Sequence, residues 1–457
     1  VNALTWAKPL WYGMYLKGSK IGYGFHDSQK ACFEKKPAIR EVEKTWLLAS
    51  ALGESLATYG EVISWRNPEG KLLKMETLCT SSGRSQKIQI TFSGRWVELA
   101  IHNGALTKRR EELPKNAPIV TDLYRHLSIC MRKNPLKDQC FYAFLPEVAS
   151  FVKYTLKPPK TQKLSSNGKT YQVLCSELLG IEGVHKVFVS HKGDVLRVDA
   201  PMGLQFIPES EEKAKKAGFA SKRADIVRDT LVQLTRPIKD PYRLSYLKLQ
   251  VLEPEFTALP NDSCQTARRE GDLWVLEMHP PKVDPAKAIS IEQASKMQPE
   301  WIKPDLYIPS DKMLFRQTAA KLIKKDMNIL AAALSQRAYV HKIMRYNASI
   351  GILRDATEIL RSREGVCRDY AILLTTLLRA SKIPARLVTG LVNANGKEYG
   401  AHVWVEIWSG SDWIGLDPTS PHPYVGANYI KVASGKVKDA FLARPLSMRT
   451  LEVLDFK

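Results

Sequence analysis

The chain has 457 residues, of which 44% are hydrophobic and 25% charged, with 68 Lys and Arg against 47 Asp and Glu for a net charge of +21. Such a length exceeds one compact core, the composition excludes a disordered chain, and no apolar run approaches the roughly 18 residues a membrane helix needs, so no membrane span is expected. The positive charge favours acidic partners, but the basic residues are scattered: Lys213, Lys215 and Lys216 sit among Glu211 and Glu212, and Lys321, Lys324 and Lys325 form one wet helix face. Without interleaved aromatics, this is a solvated basic surface rather than a specific nucleic-acid reader.

The chain starts Val1-Asn2-Ala3, with neither Met nor a charged-then-apolar leader, which fits a removed targeting segment or a trimmed end. Residues 11–25 alternate around Lys17-Gly18-Ser19-Lys20, the pattern of a hairpin with a tight turn. Strand-like runs follow at Ala57–Trp65, Lys71–Cys79, Gln86–Phe92 and Trp96–His102, then a helix over Ile119–Met131. A second strand-rich stretch covers Phe151–Leu156, Lys169–Leu178, Lys186–Ser190 and Val195–Asp199; its turn at Ser166-Asn167-Gly168-Lys169 echoes the first hairpin and suggests a duplicated β module. Residues 1–210 thus read as a β-rich domain whose twisted antiparallel sheet buries one face.

Ser210–Lys222 is charged and helical in composition, a linker. Leu231–Leu252 and Leu273–Met278 are strand-like, so 211–306 reads as a linker helix and a smaller β unit, ended by the hinge Pro299–Pro304. Beyond it, Asp311–Lys325 and Ile329–Tyr346 carry apolar residues at helical spacing. A last domain, 307–457, should open with helices and close with strands.

Seven cysteines are present, and the odd count leaves at least one thiol free. Six lie before residue 265, with Cys130 and Cys140 the closest pair and the first candidate bridge; the seventh, Cys367, stands alone. Gly365 breaks the structure ahead of it and an apolar helix runs from Asp369 to Leu378, so Cys367 falls in a first helical turn. Unpaired N–H groups and the positive end of the helix dipole favour an anion there, and such positions lower a cysteine from its usual value near 8.5. The same N–H groups can serve an oxyanion.

His402–Trp408 alternates with period two: Val403, Val405 and Ile407 on one face, expected to be the core, and His402, Trp404, Glu406 and Trp408 on the other. In Trp413–Asp417, Ile414 and Leu416 oppose Trp413 and Asp417. A turn at Ser409–Asp412 would pair the two strands and set Asp417 on the face of His402. A thiol, a base beside it and a carboxylate fixing the base's tautomer are the parts nucleophilic acyl transfer needs.

The blocks GVCRDYAILLTTLLRASKIPARLVTG, HVWVEIW and WIGLDPT resemble the three signature blocks of the transglutaminase-like superfamily over about residues 310–435. The resemblance implies an α+β fold: a papain-like core at the C-terminus, with the nucleophile helix on an antiparallel sheet, preceded by β-rich antiparallel-sheet domains. It implies Cys367, His402 and Asp417 as the catalytic triad, and cysteine-dependent acyl transfer on glutamine or peptide amides through a thioester. Bacterial, often exported, members carry β modules ahead of such a core, so a periplasmic, envelope or secreted location is expected, with a protein or peptide substrate.

Trp404 is a candidate wall of the acyl pocket, with ordinary packing as the competing reading. Arg379 and Arg386 read as structural ion-pair partners. His422 with His402 and Asp417 lacks any metal-binding spacing such as HExxH or CxxC. No cofactor is implied; calcium stays open, since no EF-hand loop is present. Two other readings stand beside the transferase: a catalytically silent scaffold, and a cysteine protease or amidase that only hydrolyses. Peptide N-glycanase lacks its paired CxxC zinc module here.

Overall fold

The computed structural model describes residues 9–103, 106–113, 118–133, 136–166, 169–180, 183–216, 225–252, 258–324, 327–442 and 450–457. It divides into two units: residues 1–229 with 349–352, and residues 230–348 with 353–457.

The first unit is built on a 16-stranded sheet. From the edge at Leu106–Glu112 the strands run back in order, each antiparallel to the next, to Leu10–Leu16. That strand pairs with Leu204–Glu209, and the sheet continues through Val195–Ala200, Gly183–Ser190 and Lys169–Gly180 toward Gln139–Leu145. The first hairpin joins Leu10–Leu16 to Ser19–Phe33 through Lys17 and Gly18, both at positive φ (47° and 83°). A two-residue turn of this kind matches the strands' own twist, and glycine adopts it without steric cost. Period-two burial is plain in Trp96–His102, where Val97, Leu99 and Ile101 point inward and Trp96, Glu98 and His102 outward. The helix forms over Leu123–Lys133, burying Leu127, Cys130 and Met131. Lys160–Ser166 and Lys169–Gly180 pair as antiparallel neighbours, while the residues of their turn, Asn167 and Gly168, lie outside the described residues. Glu211–Lys215 is a short helix capped by Ser210; the rest of the expected linker helix, from 217 to 222, also lies outside them.

The second unit holds a nine-stranded sheet. Leu247–Leu252 and Leu273–Met278, expected in a separate smaller β unit, and Gln265–Glu270, not expected as a strand, share one sheet with Glu398–Trp408, Ala385–Asn393 and Tyr429–Gly435. The C-terminal strand Thr450–Phe456 joins them by pairing with Leu247–Leu252. The physical reason is a common core: Leu247, Leu249 and Val251 pack with Leu276, Leu391, Tyr399, Ile430 and Leu451, and none of these faces is buried without the others. The division falls after Asp229, not at 210 and 306.

Helices Met313–Leu322, Ile329–Ile343 and Ala356–Ser362 pack against the helix Cys367–Ala380, which lies in turn on Glu398–Trp408 and Ala385–Asn393. All residues from Asp369 to Arg379 are buried, as befits a helix between a sheet and other helices. The result is a mixed α+β architecture: a large N-terminal antiparallel sheet, then a helix-on-sheet core in the C-terminal half. No helix among the described residues is long and apolar enough to cross a membrane.

The expected bridge between Cys130 and Cys140 is not formed; all seven cysteines are free thiols. Cys130 is buried with its Sγ 3.4 Å from His126 Nε2, whereas Cys140 is exposed with its Sγ 3.5 Å from Thr155 Oγ1.

Candidate active site

The helix that carries Cys367 is started by its own third residue. Val366 has extended backbone, and the Asp369 carboxylate reaches back to accept from Val366 N–H at 2.9 Å. Gly365 leaves room for this: a Cβ there would stand 2.5 Å from Asp369 Cβ and 2.7 Å from its Cγ. Asp369 is wholly buried and is met by Arg354, also wholly buried, whose Nε and Nη2 lie 3.2 and 3.1 Å from Oδ1. The same guanidinium donates to Glu364 O at 2.6 Å and Ser362 Oγ at 3.0 Å, so one side chain ties together the approach to the cysteine. Planar, five-donor arginine suits such a junction.

Beside that approach, Arg345–Tyr346 pairs in parallel with Glu364–Gly365. Tyr346 is 56% exposed there. Burial of part of its ring raises the phenol, and the charges of the neighbouring Cys367 and Tyr370 add to the effect.

His402 sits on Glu398–Trp408 opposite Gly390. Glycine is required at 390, since a Cβ would fall 1.9 Å from Ile430 O and 2.6 Å from the Trp404 ring. His402 Nε2 donates to Asp417 Oδ2 at 2.8 Å, and the Cys367 thiol is a close neighbour of the ring. Burial disfavours the protonated ring, but the charge and hydrogen bond of Asp417, joined by Cys367, outweigh it and push His402 up to about 10. Burial likewise opposes ionisation of Asp417, but His402 and Thr419 together hold its carboxyl well below the usual range. Asp417 and Cys367 thus favour the charged imidazole against the cost of its burial.

Asp417 is held from several sides. The predicted hairpin is present, with Val405 opposite Leu416 and Trp408 opposite Trp413. Its Oδ1 accepts from Thr419 N at 2.8 Å and Thr419 Oγ1 at 2.7 Å, and its Oδ2 from Tyr429 OH at 2.8 Å. Burial, then the charge of Asp417, raises the Tyr429 phenol far above its ordinary value, so it stays a donor. The loop behind is clamped by helix Ile329–Ile343: Arg337 Nε donates to Asp417 O at 2.8 Å and His341 Nδ1 to Pro418 O at 3.0 Å.

Of the residues singled out in the sequence, Cys367, His402 and Asp417 are brought together. Trp404 is not an open wall: it is 1% exposed and packs with Val388 and Tyr429. The face it shares with His402 is also buried at Glu406, which pairs with Arg386 at 2.8 Å and with Lys431. The expectation of a non-core face fails because the strand is interior to the sheet, with helices on one side and Val425, Tyr429 and Tyr242 on the other. Arg386 is the ion-pair partner expected, whereas Arg379 donates to backbone carbonyls, Ala385 O at 3.0 Å and Lys303 O at 2.8 Å. His422 stacks on Tyr242 with ring centroids 4.8 Å apart. Arg354, Arg337 and Tyr429 were not singled out in the sequence, and only the Asp-x-Thr spacing at 417–419 hinted at a local carboxylate cap.

Residues 316–418 match the family model of the transglutaminase-like superfamily and form its core. Uncharacterized proteins of Mycobacterium tuberculosis and Mycobacterium bovis are 31% identical over 147 residues, 29% of this chain and 46% of theirs. The chain therefore spans under half the length of these relatives. A protein-glutamine gamma-glutamyltransferase of Pseudomonas aeruginosa is 38% identical over 68 residues, 13% of this chain and 10% of that one. Among solved structures, a candidate cysteine protease from Cytophaga hutchinsonii aligns at 18% identity over 46% of this chain and 86% of its own, with a TM-score of 0.34.

Proposed function

We propose that the transglutaminase-like core works as a cysteine-dependent acyltransferase or amidase, with Cys367 as nucleophile, His402 as general acid and base, and Asp417 as the group that orients His402. The observation that carries this is the position of one imidazole, 2.8 Å from a buried carboxylate and with the Cys367 thiol as a close neighbour. With Nε2 given to Asp417, Nδ1 is the nitrogen left to exchange a proton with sulfur. A protonated imidazole beside a cysteine at a helix N-terminus favours the thiolate, the reactive form.

In the reaction so read, the Cys367 thiolate adds to the carbonyl carbon of a carboxamide, that of a glutamine side chain or a peptide bond. The first-turn N–H groups of the helix face the developing oxyanion. The C–N bond then breaks, His402 gives its proton to the departing ammonia or amine, and a thioester remains on Cys367. His402 next takes a proton from an incoming amine or water, whose attack releases the acyl group and restores the thiolate. The exposed Tyr346 beside Cys367 is the aromatic surface an acyl donor would meet, in place of Trp404. The likeness to a gamma-glutamyltransferase supports glutamine as the donor.

Iodoacetamide labelling at neutral pH, read by peptide mass spectrometry, tests the reading. Selective alkylation of Cys367 over the other six thiols is expected; equal labelling of all accessible thiols points to a silent scaffold. A glutamine peptide with a labelled primary amine then separates the two chemistries, since ammonia release without amine incorporation means hydrolysis alone.

A further inference from the structure

We infer that Arg354 is a positioning residue for Cys367: it cancels the charge of Asp369, so that this carboxylate can hold the first turn of the nucleophile helix without repelling a thiolate. This rests on Cys367 being the nucleophile.

An acidic side chain in the first helical turn is ordinarily favourable, because it answers the positive end of the dipole. Here that same positive end is needed by sulfur, two residues from Asp369. A bare, fully buried carboxylate at that point would raise the cost of a second negative charge, since low-dielectric surroundings screen little. Yet Asp369 serves the turn, accepting from Val366 N–H at 2.9 Å, and Gly365 has no side chain to obstruct it. The conflict is resolved by Arg354, whose guanidinium touches Oδ1 through two nitrogens and is itself buried. Its remaining donors go to Glu364 O and Ser362 Oγ, which fixes it in place.

The other charged or titratable groups about the site do not duplicate this. Arg368 reaches only 3.8 Å from Asp369 Oδ2 and is part-exposed, where solvent screens it. Glu358 lies 3.8 Å from Arg354 and is also part-exposed. His402 faces sulfur from the sheet side and is committed to Asp417; Tyr346 and Tyr370 are neutral phenols raised by burial.

The test is the rate of iodoacetamide alkylation at Cys367, followed across pH in the full chain. Charge compensation predicts opposite signs. Arg354→Met takes the close cation from the carboxylate and slows alkylation at mildly acidic pH by about tenfold, whereas Asp369→Asn leaves the cation and speeds it about threefold. The double variant returns to within about threefold of the parent, and Arg354→Lys, which keeps the charge, stays close to it. A purely structural role predicts that both single variants slow the reaction and that the double is slower still, and this result would overturn the inference. Should Arg354→Met not fold, the near-isosteric Asp369→Asn decides by its sign: faster supports, slower refutes. If the parent turns over no amide while the opposite signs hold, the acyl-transfer reading falls, and what stands is that Arg354 sets the reactivity of the Cys367 thiol.

Discussion

Asp417→Asn is the most informative perturbation of the site, because the carboxylate has two oxygens with different duties. Oδ1 accepts from Thr419 N and Oγ1, and Oδ2 accepts from His402 Nε2 and Tyr429 OH. An amide keeps one acceptor, and the two Thr419 donors bind it in place. The amide nitrogen then faces His402 and Tyr429, which both donate. The lowest-cost escape is for His402 to lose its Nε2 proton and accept, which puts the ring's hydrogen on Nδ1, the side that should serve sulfur. With the negative charge gone, only Cys367 is left to oppose burial, and the imidazolium that Asp417 favoured is lost at neutral pH. We expect alkylation of Cys367 at mildly acidic pH to fall roughly 100-fold or more.

Stability changes with a definite sign. The raised value of His402 contributes stability that is complete below the ordinary imidazole range and lost as pH rises through about 10. The depressed value of Asp417 contributes stability present above the ordinary carboxylate range and lost as pH falls below it. The parent should therefore show a plateau between these limits, and Asp417→Asn should lie about 3–5 kcal/mol below it there, the cost of breaking a buried pair. Alkylation kinetics against pH, with thermal melts at each pH, read both effects. A variant with the parent's alkylation profile and melting curve would refute the reasoning.

Tyr429→Phe removes one donor to Asp417 and leaves the pair with His402, so alkylation and turnover should drop about tenfold with Tm only slightly lowered. Gly390→Ala forces a Cβ into Ile430 O and should cost more than about 2 kcal/mol in denaturant unfolding. Trp404→Phe acts on packing rather than substrate contact: Tm should fall while KM for an amide donor stays within about twofold, a change in KM alone marking Trp404 as a substrate wall after all.

What the sequence made legible was short-range. The hairpin at Lys17-Gly18 and the alternation of Trp96–His102 are local and were readable. The long strand Lys36–Ala51 was not, because charged Glu41 and Glu43 stand where alternation expects apolar residues. Glu41 is made tolerable inside by Ser64, Arg66 and Thr121, partners that no local pattern announces. The union of the middle strands with the C-terminal core depends on Thr450–Phe456 returning to pair with Leu247–Leu252, a long-range contact without a sequence signal.

At the site, the helix start, the alternating strand and the turn at Ser409–Asp412 were enough to place Cys367, His402 and Asp417 near one another. Burial on both strand faces was not foreseen, since Glu406 reads as a solvent residue until Arg386 and Lys431 are seen beside it. Arg354, Arg337 and Tyr429 act from other elements, and their spacing from the motif blocks carries no pattern.

A thioester on Cys367 is the species that cysteine-dependent acyl transfer requires. The protein is incubated with a glutamine-containing peptide, quenched in acid and digested, and Cys367 is examined for an acyl adduct equal to the donor less ammonia. An adduct on Cys367 that is missing in Cys367→Ser and accumulates less in His402→Gln is the predicted result. Ammonia released with no adduct, or an adduct on another of the seven cysteines, would contradict it.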